Sequence, residues 1–267
     1  MLTLAGVLGF PVEHSLSPAM HNAAFRELGL EWRYVKLPVP PERFEETARS
    51  LPGSGYRGAN VTIPHKVAAL RIADEPSEAA RAIGAANTLT FADGAIAADN
   101  TDAGGLLSAL EAEHVEPVGM RALVLGAGGA ARAAAWALRE AGAADVSVWN
   151  RTPQRAEELA RDLGIGHAGR PAPCELLVNA TSVGLRREEG ALEELHLADL
   201  DPPSVVVDLV YSREGPTPVQ AWGERAGATV VDGLEVLVRQ GGLSLRAWTG
   251  REAPLDVMRE AALGLAA

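Results

Sequence analysis

The sequence predicts an α/β protein of two domains, a mixed-sheet domain followed by a doubly wound, parallel-sheet domain. Short apolar runs alternate with Ala-, Glu-, Arg- and Leu-rich stretches of helical period along the chain, which is typical of α/β architecture. Asp93-Gly94 joins two strand-like runs through a two-residue hairpin turn, so the first sheet contains an antiparallel pair. From Arg121 onward, strand and helix alternate regularly, which indicates parallel strands.

Each strand is predicted from a short apolar run that ends at polar or turn residues. In chain order these runs are Leu2-Leu8, Trp32-Leu37, Gly58-Thr62, Asn87-Phe91, Ile96-Asp99, Ala122-Gly126, Asp145-Asn150, Leu176-Ala180, Val205-Val210 and Thr229-Val231. Helices fill most of the gaps between them. The polar stretch Glu113-Gly119 interrupts the alternation, so the domain change is placed between Thr101 and Gly119.

Composition favours a small-molecule ligand. The net charge of -11 and the pI near 5.1 argue against a nucleic-acid or acidic-membrane partner, because phosphate binding needs clustered cations. The first ten residues are apolar but lack a basic leader and run into Pro11 and Glu13, which predicts a buried strand rather than a signal sequence. The single Cys174 predicts a reducing cytoplasm and no disulfide, and the spacing of the six His implies no metal.

A glycine-rich turn opens the second domain. The strand Arg121-Leu125 runs into Gly126-Ala127-Gly128-Gly129-Ala130-Ala131 and then into the helix Arg132-Ala141. In this strand-turn-helix context Gly126 permits the tight turn, Gly128 lets the backbone approach a pyrophosphate, and the helix N-terminus faces the anion. The pattern predicts a Rossmann-type dinucleotide site, although a plain β-turn-α connection also fits it.

The end of the next strand indicates which dinucleotide is bound. Asn150 is followed by Arg151, Thr152 and Arg155, where an NAD site usually carries an Asp or Glu and arginines suit a 2′-phosphate. Alternatively, Thr152 is only a helix cap and both arginines are solvated. Because two arginines at a helix N-terminus oppose the helix dipole unless an anion is bound, we predict NADP as the cofactor.

Lys66 is the first candidate for acid-base chemistry. The chain holds 24 Lys and Arg residues, of which only Lys36 and Lys66 are lysines, and only an ammonium can readily exchange a proton near neutral pH. Asp102 lies just after a predicted strand, where Thr101 is expected to cap a helix and Asp102 to lie in its first turn. A catalytic role for Asp102 requires Lys66 nearby; otherwise both residues have ordinary structural explanations.

Other polar residues stand at predicted element ends. Ser17 is a ready N-cap with Pro18 at the first helical position. Capping does not account for Ser15, and two hydroxyls at a helix N-terminus can bind a carboxylate. Further polar residues at strand ends, where α/β sheets place ligands, are Thr62, Asn87, Asn100, Asn179, Thr181 and Ser182.

Taken in order, these motifs resemble those of the shikimate dehydrogenase family along nearly the whole chain. The matching segments are Ser15-Leu16-Ser17-Pro18 with His21-Asn22, Asn60-Val61-Thr62-Ile63-Pro64-His65-Lys66, Gly84-Ala85-Ala86-Asn87-Thr88, Asn100-Thr101-Asp102, Gly126-Ala130, Asn150-Arg151-Thr152, Asn179-Ala180-Thr181-Ser182-Val183-Gly184, Asp208-Leu209-Val210-Tyr211, Gly233 and Gln240.

The resemblance implies reversible reduction of 3-dehydroshikimate by NADPH to shikimate, a step toward chorismate and the aromatic amino acids. It implies that Lys66 is the general acid/base and that Asp102 orients it and binds a ring hydroxyl. The other substrate-binding residues so implied are Ser15 and Ser17 for the carboxylate, with Tyr211 assisting, and Thr62, Asn87 and Gln240 for hydroxyls. The cofactor-binding residues so implied are Gly126, Ala127, Gly128, Gly129, Ala130, Asn150, Arg151, Thr152, Arg155, Thr181, Ser182, Leu209 and Gly233.

The expected organisation is a substrate-binding and catalytic domain at residues 1–102, an NADP-binding Rossmann domain at 103–237, and C-terminal helices at 238–267 that return to the substrate domain. The resemblance places the active site in the interdomain cleft. We expect a cytoplasmic protein whose partner is shikimate or 3-dehydroshikimate, without nucleic-acid or membrane binding. It is expected to be a monomer or a homodimer, with the homodimer preferred.

Two departures and two alternatives accompany the resemblance. Leu185 replaces a common Met, and the segment from Ser212 to Pro218 is one residue longer than usual, which bears on Tyr211. Within the family, a quinate/shikimate dehydrogenase with broader cofactor use is the alternative, against which Arg151 and Arg155 argue. From another class, the alternative is a non-catalytic NADP-binding sensor, which has no reason to keep the substrate residues.

Overall fold

The structure is a computed structural model that describes residues 2–185, 190–212 and 215–265. It divides into two compact units, Met1–Gly105 together with Val238–Ala267, and Leu106–Leu237. The strands are β1 Thr3–Gly9, β2 Trp32–Pro38, β3 Tyr56–Val61, β4 Glu75–Pro76, β5 Thr88–Ala92, β6 Ala95–Asp99, β7 Arg121–Leu125, β8 Asp145–Trp149, β9 Gly166–His167, β10 Leu176–Asn179, β11 Val205–Asp208 and β12 Thr229–Asp232.

The helices follow the strands in the predicted alternation. They are α1 Ser17–Glu27, α2 Phe44–Ser50, α3 Lys66–Ile72, α4 Glu78–Ile83, α5 Thr101–Ala112, α6 Gly129–Glu140, α7 Pro153–Leu163, α8 Ala191–Glu194, α9 Pro218–Arg225, α10 Gly233–Thr249 and α11 Leu255–Leu263. Short 3-10 turns at Pro41–Arg43 and Pro52–Ser54 flank α2. Among the residues described, no helix is long and apolar enough to span a bilayer.

The first unit is built on a mixed sheet of order β2-β1-β3-β5-β6-β4. β5 pairs antiparallel with both β3 and β6, and the remaining pairs are parallel. Asp93 and Gly94 both have positive φ, as a type I′ turn requires. The prediction of a mixed sheet turned by Asp93-Gly94 is therefore confirmed.

Helix α10 lies directly on this sheet. Trp248 donates its indole hydrogen to the Leu89 carbonyl at 3.0 Å, and a Cβ at Gly58 of β3 would lie 2.2 Å from the Trp248 ring. The glycine is needed because the ring occupies the place of a side chain. This contact holds the part of α10 that belongs to the first unit, from Val238 onward and including Gln240, on the sheet.

The second unit is a parallel sheet of order β12-β11-β10-β7-β8-β9. Counting from β7, this is the doubly wound order 3-2-1-4-5-6, in which ligands bind at the carboxyl ends of the strands near the switch point. The predicted Rossmann-type sheet is confirmed. Its core is aliphatic with two buried tryptophans, Trp149 and Trp222.

The sequence predicted the longer strands to within two residues at either end. It missed β4 and β9, which are two-residue pairs at sheet edges. Such two-residue strands are too short to show an alternation of apolar and polar residues. They form only because a neighbouring strand is already in place.

Candidate active site

The first unit brings Lys66 and Asp102 together. Lys66 is the first residue of α3, Asp102 lies in the first turn of α5, and the Lys66 Nζ donates to Asp102 Oδ2 at 2.5 Å. The side chains are 13% and 19% exposed, so the pair is shielded from bulk water while a ligand can still reach it. A catalytic role for Asp102 required Lys66 to lie nearby, and the structure places the two side chains in contact.

The Asn87 amide holds the other carboxylate oxygen. Its Nδ2 donates to Asp102 Oδ1 at 2.8 Å and lies 3.1 Å from Gln240 Oε1, while its Oδ1 accepts from the Thr101 backbone N–H at 2.7 Å. These contacts fix which way the amide points, since a flipped amide would present an oxygen to the carboxylate. Asn87, Gln240, Asp102 and Lys66 therefore form one connected polar group.

Two predicted helix caps are wrong in the same way. Ser17 is the first residue of α1, preceded by Leu16 in helical conformation, and its own N–H lies 3.3 Å from the Ser15 hydroxyl. Thr101 is the first residue of α5, and Asn100 Oδ1 accepts from the Asp102 N–H at 3.1 Å. In both helices an earlier residue takes the first-turn N–H groups, which leaves the hydroxyls of Ser17 and Thr101 for other partners.

Thr62 lies at the carboxyl end of β3, beside the end of β1. Its N–H bonds to the Leu8 carbonyl at 2.9 Å, and the Thr62 carbonyl accepts from the His65 N–H at the start of α3. A Cβ at Gly9 would lie 2.4 Å from the Thr62 methyl. Thr62 thus stands one short turn before Lys66, with its side chain packed along β1.

In the second unit, the glycine turn after β7 is shaped to receive an anion. Gly126 has φ +111°, and a Cβ there would meet the Ala180 carbonyl at 3.0 Å. Gly128 is the N-cap of α6 and provides no side-chain cap, while the space where its Cβ would be is open. The first N–H groups of α6 therefore have no capping side chain, which fits a pyrophosphate.

The end of β8 carries the predicted 2′-phosphate residues. Arg151 is 80% exposed and donates to Glu194 at 2.8 Å, and Arg155 is exposed one turn further. Asn150 Nδ2 donates to the Thr152 carbonyl at 2.9 Å. Thr152 is the N-cap residue of α7, without a side-chain capping bond, and Pro153 is the first helical residue. This geometry also fits the alternative in which Thr152 begins the helix and both arginines are solvated.

Asn179 and Asp208 organise the loops that follow β10 and β11. Asn179 Nδ2 donates to Asp208 Oδ1 at 2.8 Å, and Asn179 Oδ1 accepts from the Thr181 hydroxyl at 2.7 Å. The Thr217 hydroxyl donates to the other Asp208 oxygen at 2.5 Å. Burial raises the pKa of Asp208 to about 6, against the hydrogen bonds that favour its charged form.

Leu209 and Gly233 are neighbours. A Cβ at Gly233 would lie 2.6 Å from the Leu209 carbonyl carbon, so a glycine is needed for α10 to begin against this backbone. Ser182 is exposed, and Tyr211 is half-buried. The loop length noted after Tyr211 involves residues 213 and 214, which lie outside the described residues.

The sequence did not single out the buried polar residues behind Asn87 and Asp102. These are Tyr34 and Ser244, and also Asn60 and Thr88, which were noted only as parts of motifs. Asn60 was the one detectable case, because an amide at the end of a buried strand requires partners. A lone serine in a helix such as Ser244 carries no comparable indication.

Comparison with known proteins identifies relatives over both units. Residues 7–89 match a family model described as the shikimate dehydrogenase substrate binding domain. Residues 110–170 match one described as shikimate / quinate 5-dehydrogenase, and residues 233–263 match the shikimate 5′-dehydrogenase C-terminal domain. The three matches follow the chain in order.

The NADP(+) shikimate dehydrogenase of Methanopyrus kandleri is 45% identical, over 97% of this chain and 94% of its own. The crystal structure of shikimate 5-dehydrogenase from Thermus thermophilus, in complex with NADP(H) and shikimate, superimposes with a TM-score of 0.84 at 42% identity, covering 99% of this chain and 100% of its own. A ligand-free 5-ketofructose reductase from Gluconobacter sp. strain CHM43 also has a TM-score of 0.84, at 30% identity, and covers 99% of each chain.

The family resemblance drawn from the motifs is thus confirmed over nearly the full length. With 45% identity over 97% of its residues, the chain belongs to the shikimate dehydrogenase family.

Proposed function

We propose that this chain catalyses the reversible, NADP-dependent reduction of 3-dehydroshikimate to shikimate, on the path to chorismate and the aromatic amino acids. The observation that carries the proposal is the shielded Lys66–Asp102 pair at 2.5 Å, held by Asn87 in a chain that belongs to this family. A non-catalytic sensor would have no use for an ammonium and a carboxylate fixed so closely.

Lys66 is proposed as the general acid. A ketone that receives a hydride becomes an alkoxide, and an ammonium beside it both stabilises and protonates that oxygen. In the reverse direction the neutral amine accepts the hydroxyl proton as hydride leaves the same carbon. Asp102 keeps Lys66 oriented and also binds a ring hydroxyl, and Asn87 keeps Asp102 from rotating.

The remaining groups are proposed to bind the substrate. Ser15 and Ser17 hold the carboxylate, with Tyr211 assisting, and the absence of a cap bond from the Ser17 hydroxyl supports this use. Thr62, Asn87 and Gln240 bind hydroxyls. The polarity of these side chains matches a small, polar carboxylic acid, whose groups each need a hydrogen-bond partner on leaving water.

The second unit is proposed to hold the cofactor, which supplies or accepts the hydride when bound. The turn Gly126, Ala127, Gly128, Gly129 and Ala130 takes the pyrophosphate on the uncapped start of α6. The 2′-phosphate and ribose are held by Asn150, Arg151, Thr152 and Arg155. Thr181, Ser182, Leu209 and Gly233 line the rest of the site, and the Asn179–Asp208 hydrogen bond holds their loops.

We further propose residues 1–102 with 238–267 as the substrate-binding and catalytic part, and 103–237 as the NADP-binding part. A cytoplasmic location and a homodimer rather than a monomer are proposed alongside. The net charge of -11 supports a chain that does not bind nucleic acid.

The test is nicotinamide absorbance after mixing the protein with shikimate and NADP. Parallel mixtures hold quinate with NAD, shikimate with NAD, and 5-ketofructose with NADPH. We expect fast turnover only with shikimate and NADP. Turnover mainly with quinate or NAD would assign the broader-specificity alternative, turnover mainly with 5-ketofructose would assign a different substrate, and NADP binding without any turnover would assign the sensor.

A further inference from the structure

His21 and Asn22 both contact Tyr34, and the proposed function leaves these three residues without a role. The His21 ring stacks on the Tyr34 ring at 4.4 Å with an interplanar angle of 3°. The Asn22 side chain makes two hydrogen bonds to the Tyr34 backbone. Its Nδ2 donates to the Tyr34 carbonyl at 2.9 Å, and its Oδ1 accepts from the Tyr34 N–H at 2.8 Å. Two consecutive residues of α1 therefore fix the ring and the main chain of one tyrosine on the edge strand β2.

The Tyr34 hydroxyl is buried among site residues. Tyr34 is 2% exposed, and its hydroxyl donates to Asn60 Oδ1 at 2.8 Å. Burial raises the Tyr34 pKa well above its ordinary value, although the nearby Ser17 side chain favours the charged form. The phenol is thus a neutral donor bonded to Asn60, with the Ser17 side chain nearby.

From Asn60 the hydrogen bonds continue toward the catalytic pair. Asn60 Nδ2 donates to Ser244 Oγ at 2.8 Å, and the Ser244 and Thr101 hydroxyls lie 3.1 Å apart. Thr101 in turn bonds to Asn87, which holds Asp102. The buried chain of hydrogen bonds therefore runs from Tyr34 to Asp102 through Asn60, Ser244, Thr101 and Asn87.

We propose that Tyr34 is a positioning residue for the reaction. Its hydroxyl sets the amide orientation of Asn60 and lies near the Ser17 side chain, and so holds the carboxylate-binding end of the site in register with Lys66 and Asp102. The inference rests on the proposed function, in which Ser17 binds the carboxylate. If Tyr34 served only as core packing, phenylalanine would replace it without kinetic effect, because the ring and its stacking on His21 would remain.

The test is Tyr34→Phe, which removes one oxygen. We expect the KM for shikimate to rise about tenfold, as for loss of one buried hydrogen bond, with less than threefold change in the KM for NADP. Tyr56→Phe is the matched control, since Tyr56 begins strand β3 of the same sheet and is partly exposed. It should leave both constants unchanged. Thermal unfolding of both variants checks that the fold is intact.

Two further measurements separate positioning from packing. In shikimate methyl ester the carboxylate charge is absent, so the loss caused by Tyr34→Phe should be at least threefold smaller with the ester. Adding Tyr34→Phe to Ser17→Ala should cost less than twofold more, because the neighbouring Ser17 hydroxyl that holds the carboxylate is already missing. Equal losses on acid and ester, additive losses in the double variant, or an unchanged KM would each overturn the inference.

Turnover by the wild-type protein separates a failure of the proposed function from a failure of the role of Tyr34. If it does not turn over shikimate with NADP, the proposed function fails and this inference fails with it. If it does, and Tyr34→Phe matches it, only the role of Tyr34 is overturned.

Discussion

The Nζ of Lys66 lies 2.5 Å from one oxygen of Asp102, and the other oxygen of that carboxylate accepts from Asn87. A carboxylate with both oxygens engaged cannot rotate away from the ammonium. The lysine is flexible by nature, with four rotatable bonds, and here its position is set by an asparagine on a different strand end. Small displacements in this group should therefore alter rate more than affinity for the cofactor.

Lys66→Ala should lower turnover by ~10²-fold or more, because it removes the group that protonates the developing alkoxide. The KM for NADP should stay within a factor of two or three. Steady-state kinetics with shikimate and NADP checks both. Lys36→Ala is the control, since Lys36 donates to the Glu13 carbonyl on an exposed surface and is outside the proposed machinery. Near-normal turnover of Lys66→Ala would remove this residue from the mechanism.

Gly105→Ala should lower turnover by about tenfold, because the new Cβ would lie 2.7 Å from the Gln240 Cβ and 2.8 Å from its backbone N. Backbone cannot yield as a side-chain end can, so α10 and Gln240 would shift. Gly104→Ala is a closely matched control, as its Cβ would meet only the end of the exposed Leu243 side chain, at 2.8 Å. Equal activities of the two variants would show that the Gly105 contact does not position Gln240.

Arg151→Ala should raise the KM for NADP about tenfold and that for NAD by less than twofold, because a charge-assisted bond to the 2′-phosphate is lost only with NADP. Arg161→Ala, at the exposed last turn of α7, the helix that follows Arg151, controls for a change in net charge. The Glu194 carboxylate that pairs with Arg151 is a surface partner of small net energy, so NADP can displace it. An equal rise for both cofactors would mean that Arg151 does not read the 2′-phosphate.

The long strands and the glycine turn could be predicted because their determinants are local. Apolar runs such as Ala122-Leu125 must be buried, and Gly126 is required by its own φ and by the neighbouring Ala180 carbonyl. The meeting of Lys66 with Asp102 was expected only as a condition, since sequence separation does not give a distance. Structure was needed to supply it.

The caps at Ser17 and Thr101 were mispredicted for a physical reason. Capping preferences describe a hydroxyl that accepts a hydrogen bond from a backbone N–H of its own helix. Here buried neighbouring side chains take the hydroxyl instead. Thr101 bonds to Asn87 and Ser244, and an earlier residue takes over the first-turn N–H groups. These partners come from α10 and from distant strands, so no local pattern could reveal them.

His21 should make the protein sensitive to mild acid. It is fully buried, and desolvation lowers its pKa from 6.5 to about 3, although the nearby Asn60 side chain favours the charged form slightly. Among the residues described, neither ring nitrogen has a hydrogen bond of good geometry. Below pH 6.5 the unfolded chain therefore binds a proton that the folded chain does not. The contribution of neutral His21 to the free energy of unfolding is fully present above that pH. It falls by up to about 1.4 kcal/mol per pH unit as the pH decreases toward 3.

The measurement is the free energy of unfolding in urea at pH 7.5 and pH 5.0, for wild type and His21→Leu. Wild type should lose about 2 kcal/mol more unfolding free energy than the variant between the two pH values. The reason is that pH 5.0 lies about 1.5 pH units below the ordinary His pKa of 6.5, and each unit costs ~1.4 kcal/mol. Asp208, with a pKa raised to about 6, titrates in both proteins and cancels in the difference. His167→Leu removes an exposed imidazole from β9 and should follow wild type. If His21→Leu loses as much stability as wild type, a proton reaches His21 in the folded state, and the stack on Tyr34 does not require a neutral imidazole.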